Sequence, residues 1–416
     1  MTYAALLAAA CLVLAIPASA EDDDPPLGRH RWGRLWVTPR LQLKDAGLDT
    51  NVFHTLQDPT RDGVVVFGPR IEGVLPAGPL RITGAGFVEV SHYRRVGDER
   101  STDFGGEGRA ELDLGRLTLF GGGGGGEFTN RLSIDVDERL RRQEKRANVG
   151  AAVRFARRFS LTAQASGEVF TFQPGAFRIG GDVKSALDRN TLTAAGQLRV
   201  GLKPRSGLVV TAEVLEDRFF SQRVDIPRTH RSYRYLGGIV VRESASGRLP
   251  FGRLLLGIRE FPETAAQGHP SYRGPAASLQ VEAPLGRLLR LRGLFERDVV
   301  FASSVVAVST LRYRNAFVYR RYEGGATLGL PLGLEAVGSA GFEEARYLLP
   351  YPYPDPAALS LFDRLDHRWT ATMALTRAFG ESVRIGAQAT WTRRVSSLPL
   401  FGYEGLRYGL SAEIVP

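Results

Sequence analysis

Six histidines stand at positions 30, 54, 92, 230, 269 and 367, and acid–base, nucleophilic or zinc chemistry would most naturally begin with them. None belongs to an HExxH pair or to a His/Asp pair at ligand spacing, and no GxSxG elbow occurs. Glu89, Ser91 and His92 are the one hint of a Ser/His/acid set. Side chains on a strand alternate between faces, so 89 and 91 share a face and 92 points away. The expectation is therefore no catalytic residue, no metal site and no cofactor.

Three other stretches could carry chemistry. Residues 121–126 are consecutive glycines and contain a GxGxxG pattern, but no helix follows to complete a phosphate cradle. In a strand the run bares both faces, which reads either as a notch in a wall or as low complexity in a tolerant strand. Asp135, Asp137 and Glu138 are calcium donors by type. Arg139, Arg141 and Arg142 follow at once, so a solvated mixed-charge loop is expected there. After Leu348-Leu349, residues 350–354 alternate Pro and Tyr, which favours extended polyproline geometry with flat aromatic faces. That stretch is expected to pack over a mouth, with a carbohydrate contact as the alternative.

The remaining chemistry is charge, and strands must position it. Between His367 and Arg394, Trp369, Ala371, Met373 and Leu375 alternate with polar residues. After the turn at 379–382, Val383, Ile385, Ala387, Ala389 and Trp391 alternate with Arg384, Gly386, Gln388, Thr390 and Thr392. The same period-2 pattern recurs from about Trp36 to the end, with full charges kept in mid-strand on one face. A sandwich core could not bury so many charges unpaired, whereas a wet lumen can hold them. Parity assigns Arg81, Glu89, Arg109, Glu111, Asp113, Arg199, Glu213, Arg259, Glu282, Arg290, Arg292, Glu296, Arg384, Gln388, Arg394, Arg407 and Glu413 to a pore lining. Trp369 and Trp391 fall on the apolar face at the level of an aromatic girdle.

Connections carry a second signal. Short turns near 76–79, 115–116, 157–158, 203–207, 246–250, 284–287, 331–333 and 379–382 alternate with long polar segments near 50–63, 95–101, 131–145, 174–189, 220–231, 262–272, 300–312, 348–365 and 396–402. Short periplasmic turns and long external loops are the pattern of an outer-membrane barrel. The reading is an all-β, up-and-down antiparallel transmembrane barrel of about 18 strands, or 16 if one hairpin is misplaced.

Composition agrees. The chain has 416 residues with Gly 48, Cys 1 and Met 2, which suits neither a helical bundle nor a disulfide scaffold. Residues 1–20 read as a signal peptide, with an apolar run at 4–16 and Ala18-Ser19-Ala20 before Glu21. The lone Cys11 lies inside that run, leaving a cysteine-free mature chain. Residues 21–35 read as a periplasmic lead-in and 36–416 as the barrel. The net charge of +10 comes almost wholly from Arg dispersed through strands, which argues against nucleic acid and for outer-membrane lipid headgroups or an anionic solute.

The start of the barrel carries a family resemblance. Val37 to Leu43 forms a strand, Leu48-Asp49-Thr50-Asn51-Val52-Phe53-His54-Thr55 follows, and a second strand holds Gly68-Pro69-Arg70-Ile71. This resembles the opening of the β-barrel porins found with exopolysaccharide biosynthesis clusters, where a D-S/T-N-V-F segment ends the first strand and a Pro lies in the second. The resemblance implies an outer-membrane pore that aids export of a secreted polysaccharide, with periplasmic export proteins as partners and no catalytic residues. The alternative is a general or anion-preferring diffusion porin; an outer-membrane enzyme is the third class. Many such barrels end in an aromatic residue, whereas this sequence ends Ile414-Val415-Pro416.

The face assignment makes a direct prediction. Ala387→Arg or Ala389→Arg places a charge in lipid, which costs about 2–4 kcal/mol near the bilayer midplane. Either should block folding into vesicles, scored by heat-modifiable gel mobility, while Gln388→Arg folds normally. Equal folding of all three would reverse the faces.

Overall fold

The computed structural model describes residues 29–175, 182–220, 229–243, 249–262, 271–286, 288–301, 316–348, 351–352 and 361–416. The expected signal peptide lies outside the described residues. So do most of the expected lead-in and most of the Pro/Tyr stretch.

Eighteen long strands form one antiparallel sheet: β1 (Leu35–Asp49), β2 (Asp62–Ala77), β3 (Leu80–Tyr93), β4 (Ser101–Asp113), β5 (Leu117–Arg131), β6 (Arg139–Ala156), β7 (Phe159–Phe172), β8 (Arg189–Lys203), β9 (Ser206–Phe219), β10 (Thr229–Val241), β11 (Phe251–Phe261), β12 (Tyr272–Leu285), β13 (Leu289–Phe301), β14 (Ala316–Gly329), β15 (Leu334–Tyr347), β16 (Leu365–Phe379), β17 (Val383–Ser396) and β18 (Tyr403–Ile414). Each strand pairs with the next, and β1 pairs with β18, so the sheet closes on itself. Short and long connections alternate as expected with one exception. Between β10 and β11 the strands end earlier than the sequence pattern suggests, leaving 242–250 as the longest link at the otherwise short-turn end.

Both ends of the described chain lie at that short-turn end. A short arm, His30–Trp32, folds back on the start of β1. There Arg29 donates to the carbonyls of Glu381 (3.0 Å) and Val415 (2.6 Å), and His30 Nε2 lies 2.7 Å from the Pro416 carbonyl. These contacts tie the beginning of the wall to its end.

The outer face is a continuous apolar surface. Met373 (72% exposed), Val149 (63%), Leu410 (59%) and Val210 (58%) stand on it, on widely separated strands. Residues of the other parity point inward, and many are charged and buried, including Arg199, Glu213, Arg234 and Arg259. Apolar outside and charged inside inverts a soluble sheet. Only a closed barrel satisfies its backbone in lipid without an open edge, and this barrel spans the bacterial outer membrane. Among the described residues no helix is long and apolar enough to cross a membrane.

The glycine run settles into β5, where it brings the strands to close approach. In register, Glu107 of β4, Gly124 and Arg146 of β6 lie side by side, and Arg146 reaches across the bare strand to pair with Glu107. A Cβ at 124 would come within 2.5 Å of the Gly106 carbonyl oxygen and 2.9 Å of Glu107 Cβ. The run is therefore a packing requirement, and low complexity is not its explanation. Gly124→Val must push β4 away and separate the ion pair, with an overpacking loss of about 1–3 kcal/mol. A lowered unfolding midpoint in heat-modifiability gels, with Gly175→Val as an unaffected control, checks this.

Candidate functional site

The inward parity positions divide into two zones. Nearest the short turns, charges pair loosely and keep contact with water. Arg290 lies 3.8 Å from Glu282, and Arg292 lies 3.9 Å from Glu323. Arg40 bonds Glu413 at 2.7 Å, and Arg109 bonds Glu111 at 3.3 Å. Arg81 faces Glu111 in register, and Arg384 faces Glu413. Asp113 belongs to the turn, because its Oδ1 accepts the Gly115 N–H at 2.8 Å.

Between the two zones, a bulge in β1 at Lys44 and Asp45 shapes the seam. A bulge puts two residues opposite one, so neighbours in sequence can both turn inward. Lys44 pairs with Glu89, Asp45 lies 2.5 Å from Arg407, and Gln388 Nε2 donates to the Lys44 carbonyl at 2.7 Å. Strict parity could not assign both 44 and 45 to the interior.

Toward the long loops the interior dries. Glu213 lies 2.7 Å from Arg234, and Asp298 lies 2.7 Å from Arg259 and 3.0 Å from Arg234, with all four buried. Glu296 faces Arg321 in register, while Arg199 is buried nearer the short turns, four residues before the end of β8. Above them Arg368 pairs with Glu343. Buried guanidinium–carboxylate sets of this kind stiffen a structure when every member is satisfied.

At the long-loop end three connections fold inward and meet. The mixed-charge loop expected over 131–145 is only 132–138, because β5 runs to Arg131 and β6 starts at Arg139, and it is not solvated: Asp135 is buried and the Asp137 side chain is 6% exposed. Ile134 packs with Phe317, Ala345 and Tyr347, and Val136 packs with Phe172, Val183 and Leu187. Those apolar anchors pull Asp135, between them, and Asp137, beside them, out of water, where arginines from elsewhere in the chain compensate them. Asp135 lies 3.5 Å from Arg364, Arg364 lies 2.9 Å from Asp366, and Asp366 lies 2.8 Å from Arg394. Arg394 lies 3.7 Å from Asp137, which lies 3.5 Å from Arg131. Acid and base alternate along this buried chain. The Tyr347 hydroxyl donates to Asp135 at 2.5 Å, and the Arg364 guanidinium lies over the Phe401 ring at 3.9 Å.

The segment that carries the family resemblance builds part of this closure. Thr50 continues the seam through its N–H to the Leu406 carbonyl (3.0 Å). Asn51 is fully buried and donates through Nδ2 to the carbonyls of Thr55 and Glu404, both at 2.8 Å. Val52 packs on Val64, Val66 and Tyr93. His54 takes a left-handed backbone (φ 54°), stacks on Tyr403 at 4.1 Å and sets Nδ1 3.4 Å from Asp137.

Of the residues proposed from sequence, the structure therefore joins Glu213 with Arg259 and leaves Arg394 in the mouth. It adds Arg131, Arg234, Asp298, Arg364 and Asp366, which the sequence reading does not single out, and it gives Asn51, His54 and Asp137 a shared place in the mouth that the sequence does not show. Parity along β13 already placed Asp298 with Arg290, Arg292 and Glu296, and the Asp-x-Asn pattern at 49–51 is an Asx-turn signal. Nothing local marks Arg364 or Asp366. Glu89 and Ser91 are buried inward while His92 is exposed outward, so those three do not converge. Trp369 and Trp391 lie on the outer face near the long-loop end. Among the described residues no group of three or more His, Asp or Glu could hold a metal ion.

No protein-family model and no curated protein matches the chain. Among solved structures, OpdK with vanillate from Pseudomonas aeruginosa aligns over 91% of this chain and 99% of its own, with TM-score 0.49 and 10% identity. The siderophore receptor PirA from Pseudomonas aeruginosa aligns over 93% and 81%, with TM-score 0.48 and 11% identity. OccAB3 from Acinetobacter baumannii aligns over 91% and 99%, with TM-score 0.47 and 10% identity. Likeness at this level carries no function to the present chain.

The mouth is expected to respond to pH. Burial holds the His54 imidazole below its usual 6.5, aided by Arg131 and opposed by Asp137 and Asp49. Burial would raise Asp137, but His54, Arg131 and Arg368 hold it well below the usual carboxylate range. With its pKa lowered in the closed form, His54 makes closure release a proton. Closure is thus fully stable above 6.5 and weakens as pH falls below that value, by at most about 1.4 kcal/mol per pH unit. Acidifying only the loop-side chamber of a planar bilayer from about 7.5 to about 5.5 should raise open probability several-fold. His54→Phe should abolish the response.

Proposed function

We propose that this barrel is a gated channel for hydrophilic anionic solutes. The carrying observation is the way charges are layered in the wet zone. Across most pairs the cation is nearer the water and the carboxylate nearer the wall: Arg290 is 55% exposed against 31% for Glu282, Arg292 52% against 26% for Glu323, and Arg109 34% against 22% for Glu111. Glu107 with Arg146 reverses the order, and Glu72 matches its partners. A solute in the zone near the short turns therefore meets guanidinium edges, which bind carboxylate and phosphate oxygens in a forked geometry. Barrels of 16–18 strands enclose an aqueous channel. The inward parity residues other than Asp113 and Arg394 supply its wall, and the buried mouth chain, which includes Arg394, supplies its gate.

Polysaccharide export is the second reading. Residues 49–54, the segment of the resemblance, are used to seat the first loop in the mouth, which favours a shared gating plan with those porins. An acidic polysaccharide would also meet the layered cations as an anion. Periplasmic export proteins would then dock at the short-turn end, where the arm at His30–Trp32 lies.

Single-channel recording in planar bilayers tests the proposal. Anion over cation permeability is expected, and Arg290→Glu with Arg292→Glu should shift it toward cations. Asp366→Asn leaves Arg364 and Arg394 short of a buried counter-charge, a loss of about 3–5 kcal/mol, and should hold the mouth open. Absence of conductance in both the wild type and Asp366→Asn would reject a channel.

A further inference from the structure

We infer that the outer wall over β13–β17 holds a phosphorylated, multi-acyl glycolipid of the outer leaflet. This rests on outer-membrane placement alone and is independent of what the lumen conducts. Cross-strand register stacks three layers there. An aromatic row runs Phe295, Tyr322, Phe342 and Trp369, with ring centroids 4.9 Å, 6.1 Å and 5.3 Å apart in turn. Two residues nearer the long loops, the outward positions are Arg297, Arg320, Glu344 and His367. Arg346 and Arg393 stand on the same face, Arg346 one step farther up β15 and Arg393 opposite Trp369.

The cations of this upper layer are only partly neutralised. Glu344 lies 2.8 Å from Arg320 and 3.7 Å from His367, and Glu404 accepts the Trp391 indole N–H at 2.9 Å. Arg297, Arg346 and Arg393 make no ion pair among the described residues. Three guanidinium groups without an ion pair among the described residues, two above the aromatic row and Arg393 level with it, are complementary to a head group that carries phosphates, since guanidinium forks match phosphate oxygens and aromatic rings settle at the membrane–water boundary.

Below the aromatic row the wall is hollowed. Ala326, Gly338 and Ala389 leave an apolar groove of about 890 Å³, bordered by Leu328, Met373 and Leu375. Arg320 and Ala326 are on one strand, six residues apart. At about 3.3 Å per residue and a tilt near 45°, that is a depth of roughly 14 Å, the level of acyl chains in one leaflet. The groove crosses six adjacent strands, from β14 round the seam to β1, wide enough to seat several chains beside one another. A single-chain head group would leave most of it empty, which is why a multi-acyl lipid is the occupant assigned here.

The test uses the purified full chain and native mass spectrometry with three probes: bis-phosphorylated lipid A, lipid A lacking its phosphates, and phosphatidylglycerol. Bis-phosphorylated lipid A should be retained best. The triple variant Arg297→Gln, Arg346→Gln, Arg393→Gln should bind it roughly a hundredfold more weakly, from about 1 kcal/mol per surface cation. Removing the phosphates from the probe should weaken binding to the wild type equally. Filling the groove with Ala326→Phe and Ala389→Phe should weaken both forms of lipid A. Heat-modifiable mobility verifies folding, and if the triple variant fails to fold, the phosphate-free probe on the wild type decides. Equal retention of phosphatidylglycerol, unchanged binding by the folded triple variant, or a barrel dimer that buries the groove in place of lipid would each overturn the inference.

Discussion

Closure of β1 onto β18 is the constraint on which the rest depends. In lipid no water can satisfy an unpaired edge, so a strand left open would expose a row of backbone groups at several kcal/mol each. The seam is accordingly reinforced at both ends. Arg29 and His30 tie the short-turn end to the last residues, and Thr50 with Asn51 ties the other end to Leu406 and Glu404. Along the middle, the bulge at Lys44 and Asp45 changes register without breaking the ladder, and both side chains enter the lumen as a result.

With the wall closed, the interior faces two opposite demands. A channel must keep charges hydrated, while a gate must exclude water. The barrel separates these along its axis. Pairs such as Arg290 with Glu282 remain wet near the short turns, where they gain little stability and stay available to a solute. At the long-loop end, apolar anchors such as Val52, Ile134 and Val136 carry acids inward, and each acid must then find a guanidinium. The alternating chain from Asp135 to Arg131 is the consequence.

Much of the fold was legible because a membrane barrel has so little freedom. Period 2 must hold in every strand, since one face meets lipid and the other does not. Thus Ala387, Ala389 and Trp391 separate from Arg384 and Gln388 by inspection, and alternating loop lengths give strand count and orientation. The shorter-than-expected β10 and β11 mark where this fails: at 242–250 polar and apolar residues do not alternate cleanly, so the strand ends are set by pairing partners. The glycine run likewise left two readings open, and only the neighbours Glu107 and Arg146 distinguish them.

Period-2 patterning and alternating loop lengths alone give an all-β antiparallel barrel, with one apolar and one charged face to each strand. These follow from local periodicity, which depends on each residue and its immediate neighbours. Only the tertiary structure decided which charges meet. Asp135 and Arg364, or His54 and Asp137, are far apart in the chain and come together because loops from opposite sides of one cylinder share a mouth. A residue such as Asp135 reads locally as solvated, and it becomes a buried counter-ion only once Ile134 and Val136 on either side of it have found their apolar partners across the barrel.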